Sequence, residues 1–394
     1  MKLTVVALGQ CGSRVGDEFI RLNKRAQSEW NTNIVTGVYA VNSDQTDLTG
    51  VSEIDPDHTH RILIGGRKTW GHGVGKVNEM GAELAREDGD KVVDAVRSSH
   101  DFYQSHAFLL IAGSAGGTGS GAISVICQML KERYKGKPVY ALIVLPFEHE
   151  EMAELRSVYN TAVCLKSINS VADAVFLADN QRYVRKDASL GMNLNRINAQ
   201  IAEPFYNMMC AGEAVNYKHV GAKTLDSGDI MQSLDGWTAI GLGSAETPGG
   251  FHLLRRESSR ANFKEKGDES VRAMQALDAA MGDLSISCSP EDAGRALYLM
   301  SGQAEYMSMD ITKGLGDYMR ELAANAVVRS GDFPKGGNRV DITVMLSQLA
   351  HIQKVMDYYD RASAFAAIQK ERLKETSERL RDMEEAGRGL PGLI

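Results

Sequence analysis

The chain has 394 residues, 43% hydrophobic and 24% charged, and its 44 Lys and Arg against 51 Asp and Glu leave a net charge of -7. This excludes a disordered, collagen-like or membrane-spanning chain, and the acidic surplus makes the chain a poor candidate for sequence-independent DNA binding, which needs dense positive charge against phosphate. With 39 Gly against 8 Pro, glycine is concentrated where the backbone adopts conformations or contacts that other residues forbid.

The five cysteines (Cys11, Cys127, Cys164, Cys210 and Cys288) are odd in number and never form C-x-x-C. Neither a disulfide framework nor a zinc site follows, and a reducing cytoplasm fits them. The apolar run Leu3–Leu8 ahead of Cys11 is too short for a signal peptide. No segment reaches the roughly 18 apolar residues of a spanning helix, so direct transmembrane insertion is not expected.

In chain order, short β-branched runs predict strands at Leu3–Leu8, Thr36–Val41, Ala107–Ala112, Val139–Leu145 and Ala174–Leu177. Helical spacing lies between them at Val15–Leu22, Val77–Val96, Ser124–Tyr134 and Met152–Ile168. Continuous apolar strands alternating with helices predict an α/β fold with a parallel sheet covered on both faces and ligands beyond the carboxyl ends of the strands. A long helix is expected from about 190 to 211, kinked or broken at Pro204. Beyond it, strands at Trp237–Leu242 and Val340–Leu346 with helices at Ser270–Met281, Pro290–Met300 and Met307–Val328 predict a smaller α+β domain. The last forty or so residues read as one charged helix, with Glu375 and Arg379 spaced for an i,i+4 pair, before Gly389-Leu390-Pro391-Gly392. The expected organisation is 1–212, 213–350 and 351–394.

The strongest motif is Gly113-Ser114-Ala115-Gly116-Gly117-Thr118-Gly119-Ser120-Gly121, between a buried strand and a helix. Small residues there let backbone N–H groups converge on a polyanion at a helix N-terminus. A flexible linker is the bland alternative, but linkers are not inserted between a buried strand and its helix. No G-x-x-x-x-G-K-[ST] occurs, and Gly9-Gln10-Cys11-Gly12 after the first strand lacks the G-x-G-x-x-G spacing. His58 and His60 form an H-x-H without matched ligands, read as a solvated loop.

Residues 115–121 fit the tubulin/FtsZ signature [SAG]-G-G-T-G-[SAT]-G at every position, and Gly9-Gln10-Cys11-Gly12 resembles the first tubulin loop. Asn42-Ser43-Asp44 resembles the second family loop, Gly71-His72-Gly73-Val74-Gly75 the γ-phosphate-sensing third, Pro146-Phe147-Glu148 the fifth, and Asp179-Asn180-Gln181-Arg182 the sixth. The resemblance implies GTP and GDP with Mg2+ as ligands, bound on these loops. Asn180 stands at the guanine edge, Asn198 or Asn195 of the long helix beside it, and Glu150 or Glu154, with Arg156, at the ribose and base. Leu225-Asp226-Ser227-Gly228-Asp229 resembles the synergy loop, with Thr224 where FtsZ has Asn. Asp226 and Asp229 are then the catalytic acids, acting on the next subunit's nucleotide in a head-to-tail homopolymer. The local alternative is that Ser227 or Asp229 simply caps the following helix.

A tubulin-like first loop on an FtsZ-sized body is most similar to the archaeal CetZ group, which implies cytoplasmic, membrane-proximal filaments with a role in cell shape. A membrane adaptor or other tubulin-like proteins are the further partners it suggests. An FtsZ-type division protein, a GTP-binding regulator that does not polymerise, and a nicotinamide-dependent oxidoreductase are the competing readings. The missing G-x-G-x-x-G speaks against the last.

Overall fold

The computed structural model describes residues 1–184, 190–213, 223–246, 259–304 and 307–387; the Gly389–Gly392 segment lies outside them. The first half builds strands β1 (Leu3–Leu8), β2 (Val35–Asn42), β3 (Arg61–Leu63), β4 (Ala107–Gly113), β5 (Val139–Leu145) and β6 (Ala174–Asp179). Its helices are α1 (Gly9–Trp30), α2 (Gln45–Thr49), α3 (Gly66–Thr69), α4 (Asn78–Ser98), α5 (Thr118–Arg133), α6 (Glu148–Ala153) and α7 (Leu155–Asn169). Then come α8 (Leu190–Cys210), α9 (Ser227–Ser233), β7 (Gly236–Glu246), α10 (Ser259–Gly282), β8 (Ala293–Gly302), α11 (Met309–Leu322), β9 (Val327–Pro334), β10 (Arg339–Leu349) and α12 (Gln353–Gly387).

The ten strands among the described residues join one sheet, in the order β3-β2-β1-β4-β5-β6-β7-β10-β8-β9. The strands from β3 to β7 run parallel, whereas β10 is antiparallel to both β7 and β8. Both faces are buried. Phe19 of α1 and Ile201 and Phe205 of α8 pack against Val5, Leu109 and Leu142 on one side; Leu84 of α4, Ile126 of α5 and Val158 of α7 pack against Val6, Leu110 and Ile143 on the other. Strand order reverses between β1 and β4, and a doubly wound sheet opens a ligand crevice at that point.

Three expected helices are corrected. Pro290–Met300 is a short 3-10 turn followed by strand β8, whose Ala296, Tyr298 and Met300 enter one core while Leu297 and Leu299 enter the other. Burial on both faces erases the alternation that marks a strand. The helix expected over Met307–Val328 stops at Leu322, and Val327 opens β9, a sheet-edge strand carrying Arg329, Ser330 and Asp332. The helix expected over Met152–Ile168 is broken at Glu154, whose backbone is extended. Pro204 sits inside α8 without interrupting it. Among the described residues Glu375 and Arg379 form no ion pair; Arg381 and Glu385 do, at 3.6 Å.

Candidate functional site

Beyond the carboxyl ends of β1, β2, β4, β5 and β6 lies a cavity of about 380 Å3. Its floor is made where two loops jam together: a β-carbon on Gly119 would lie 2.6 Å from the Leu8 carbonyl oxygen, and Gly9, at φ +72°, would bring one within 3.0 Å of the Gly119 nitrogen. Only glycine permits this approach. The helices leaving these loops, α1 and α5, have no side-chain cap and no acidic residue in their first turns. Both therefore present unsatisfied N–H groups and the positive end of the helix dipole to the same space. Arg14 and Lys76 add cationic side chains to the lining.

Of the residues expected at a site, Gly9, Gln10, Cys11, Asn42, Gly113, Ala115, Gly116, Gly117, Thr118, Gly119, Glu150, Asn180 and Asn198 line the cavity. Gly12 and Ser120 do not: a β-carbon on Gly12 would meet the Ile111 carbonyl oxygen at 2.3 Å, and the Ser120 hydroxyl turns back to the Gly116 carbonyl. Gly71, Gly73, Val74 and Gly75 also stand off the lining. The Gly73 N–H donates to the Ser43 carbonyl at 3.1 Å and the Gly71 carbonyl accepts from the Gln45 N–H at 3.0 Å, leaving Lys76 as the residue of that loop that reaches the cavity.

Asp44 caps α2, accepting from the Thr46 and Asp47 N–H groups at 2.8 and 3.1 Å. Asp47 lines the cavity in its place, holding the Gln10 amide at 2.7 Å and the Asn42 amide at 3.0 Å. The Thr118 hydroxyl is hydrogen-bonded to that of Ser43 at 2.6 Å. Burial and the Glu150 carboxylate push the Cys11 thiol up to about 12, so Cys11 lines the cavity as a neutral thiol rather than a nucleophile.

The other end of the cavity is built differently. Asn180 and Asn198 are 9% and 8% exposed, and among the described residues neither side chain has a hydrogen-bond partner. Both amides open into the cavity, and an amide can both donate to and accept from a planar base edge. Asn195 is exposed and lies in a neighbouring groove with Arg14 and Asp17. Glu154 is engaged by Lys76 at 2.7 Å. Arg156 is turned away, donating to Asn160 at 3.0 Å, to Asn78 at 3.3 Å and to Glu79.

Asn160 carries no motif signal and ties the site together. Fully buried on α7, its amide donates to the Lys76 carbonyl at 2.8 Å and to the Ala115 and Gly116 carbonyls at 3.1 Å each. One side chain thus fastens two loops of the cavity wall.

Asp226 and Asp229 are elsewhere. Asp226 caps α9, accepting from the Asp229 N–H at 2.7 Å, and Asp229 lies 3.9 Å from Arg329. Two residues beyond the end of α9, Leu234 and Asp235, lead into β7, whose Gly236 pairs with Ala174, the first residue of β6. The acidic loop therefore sits at the amino edge of the sheet and the cavity at the carboxyl edge, a six-residue strand of about 20 Å away. Helix α8 joins them: Asn198 lines the cavity, while the Met209 carbonyl near its far end accepts from the Met1 amine at 2.6 Å, just ahead of β1.

The family model described as the tubulin/FtsZ family GTPase domain matches residues 2–186, and that for the tubulin-like CetZ C-terminal domain matches residues 187–364. The tubulin-like protein CetZ1 of Haloferax volcanii is 30% identical over 375 residues, covering 91% of this chain and 90% of its own. The chain belongs to the CetZ group of the tubulin/FtsZ family. Among solved CetZ structures, the GDP-bound monomer of Haloferax volcanii CetZ1 superposes with a TM-score of 0.78 at 28% identity, over 93% of this chain and 100% of that one. The GTPγS-bound protofilament of CetZ2 from the same organism gives 0.78 at 25% identity, over 94% and 100%. The family's GTPase domain therefore spans the part of the chain that carries the glycine loops. No helix among the described residues is long and apolar enough to cross a membrane.

Proposed function

We propose that this CetZ chain binds GTP in the cavity and hydrolyses it on head-to-tail assembly, when the acidic loop of one subunit closes over the nucleotide of the next. The observation that carries the reading is the separation of Asp226 and Asp229 from the cavity by the height of the sheet. Within one copy the acids cannot reach the phosphates; stacking carboxyl edge on amino edge brings the two halves together. The glycine loops and the ends of α1 and α5 receive the phosphates, while Asn180 and Asn198 read the guanine edge.

Asp47 and Thr118 are the oxygen donors beside the phosphate loops that suit Mg2+, which supplies neutralisation of phosphate charge when bound. Asp226 and Asp229 then orient and polarise the attacking water. In this reading residues 1–212 bind nucleotide, 213–350 supply the acids and 351–394 form a helical extension. The GDP- and GTPγS-bound forms of the two Haloferax relatives support the choice of ligand, and the CetZ2 protofilament supports assembly. Such filaments would serve cell shape.

A mixing experiment tests the shared site. Asp226→Asn protein retains a complete cavity, and Asn180→Ala protein retains complete acids. Each alone is expected to be nearly inactive, and an equimolar mixture to recover GTPase activity. A mixture no more active than its components overturns the reading.

A further inference from the structure

The base end of the cavity is gripped from outside by the C-terminal helix. Helix α12 packs on α7, burying Val355, Tyr358 and Ala362 and setting Phe365 against Tyr159 with ring centroids 5.9 Å apart. From this stretch three polar side chains project at i, i+4 and i+7, one face of a helix. Lys354 Nζ donates to Asp179 Oδ1 at 2.7 Å, the Tyr358 hydroxyl donates to Glu151, and Arg361 Nη1 donates to Glu151 Oε2 at 2.6 Å.

The two acids so held are 7% and 6% exposed, and each is the chain neighbour of a residue lining the cavity: Asp179 of Asn180, and Glu151 of Glu150. Asp179 Oδ1, the atom that Lys354 reaches, also accepts from the Gln181 N–H at 3.1 Å, closing the turn from which Asn180 projects. Glu150 in turn accepts from the Phe147 N–H at 3.0 Å, closing the capping turn at the start of α6. Lys354 and Arg361 keep 25% and 44% of their side chains exposed, so these ion pairs add little net stability.

We propose that α12 is a positioning clamp on the base end of the nucleotide cavity, with Lys354 acting through Asp179 on Asn180, and Tyr358 and Arg361 acting through Glu151 on Glu150. The helix thereby sets affinity and base selectivity without touching the nucleotide. The inference rests on the GTP-binding reading above.

The test titrates a fluorescent GDP analogue into the full-length chain, as wild type and as Lys354→Met, Tyr358→Phe, the double variant and Asn180→Ala. IDP, which lacks the exocyclic amine of guanine, serves as competitor. Thermal unfolding without nucleotide reports folding. The double variant is expected to bind GDP about tenfold more weakly, ~1.4 kcal/mol, and to prefer GDP over IDP less. At fixed protein concentration its KM for GTP rises while kcat at saturation holds, and the single variant Lys354→Arg, which keeps a cationic donor for Asp179, binds GDP as the wild type does.

A folded double variant with wild-type affinity and selectivity, beside an Asn180→Ala that has lost binding, overturns the clamp alone. Wild-type binding by Asn180→Ala overturns the GTP reading and the clamp with it. If the double variant does not fold, the single variants Lys354→Met and Tyr358→Phe decide: wild-type affinity in both refutes the clamp.

Discussion

Replacing Asn160 with Ala removes the fastening between the Lys76 loop and the glycine loop. The amide has two hydrogens for three carbonyls and its Oδ1 accepts from Arg156, so about three hydrogen bonds' worth of interaction is lost. At about 1 kcal/mol each, and with the carbonyls left buried, the cost is on the order of 3 kcal/mol. For a chain of 394 residues that lowers the thermal midpoint by roughly 3–5 °C.

Because the released carbonyls belong to Ala115 and Gly116, which line the cavity, nucleotide affinity falls as well, by about tenfold for each 1.4 kcal/mol of preorganisation lost. Asn160→Asp sharpens the test. It keeps the partner of Arg156 but turns an acceptor toward three carbonyl oxygens, so it is predicted to be worse than Ala. Differential scanning fluorimetry with and without GDP, paired with a nucleotide titration, measures both effects. If Asn160→Asp is milder than Asn160→Ala, or if both leave midpoint and affinity unchanged, Asn160 does not fasten the loops.

Asp226→Asn keeps an equally good helix cap, so the thermal midpoint and GDP affinity are predicted to hold while GTP turnover falls by about 10²-fold or more; wild-type turnover, measured as phosphate release, would reduce Asp226 to a cap. Gly119→Ala drives a β-carbon to 2.6 Å from the Leu8 carbonyl oxygen and is expected to cost about 1–3 kcal/mol as overpacking. Gly116→Ala meets nothing within 4 Å, so it should unfold at the wild-type midpoint, and equal midpoints for the two would refute the jammed floor. Burial raises the thiols of Cys11, Cys127, Cys164 and Cys210 from an ordinary value of 9.0 to about 12. The folded chain then holds more protons than the unfolded one above pH 9, and the stability these thiols carry is full below pH 9 and lost as pH rises toward 12. The midpoint should fall between pH 8.5 and 10.5, a window that brackets the ordinary thiol value, and native protein should resist iodoacetamide at neutral pH; a flat profile or rapid native labelling would refute it.

How far the sequence could be read followed from where each signal lies. β1 and β5 matched their apolar runs residue for residue, because strands buried on both faces need uninterrupted apolar sequence. The same burial made β8 look helical, and β9 went unseen because an edge strand tolerates Arg329, Ser330 and Asp332. Much of the cavity lining was legible from glycine loops, where chemistry demands particular residues in sequence. Asp47 in place of Asp44 was not, since both residues lie within one short turn and only the folded geometry shows which caps and which lines. Asn160 and the contacts from α12 to Asp179 and Glu151 span long separations through residue types that recur throughout the chain, and only the packing of α7 and α12 brings them to the site.

The most direct test of the shared site is GTPase activity per molecule measured across a wide range of protein concentration, with Mg2+ present. Activity that is negligible when dilute and rises beyond a threshold is the predicted result, because in the proposed mechanism Asp226 and Asp229 reach a cavity only across a subunit contact. A rate per molecule that is measurable and constant from the most dilute sample to the most concentrated would contradict it.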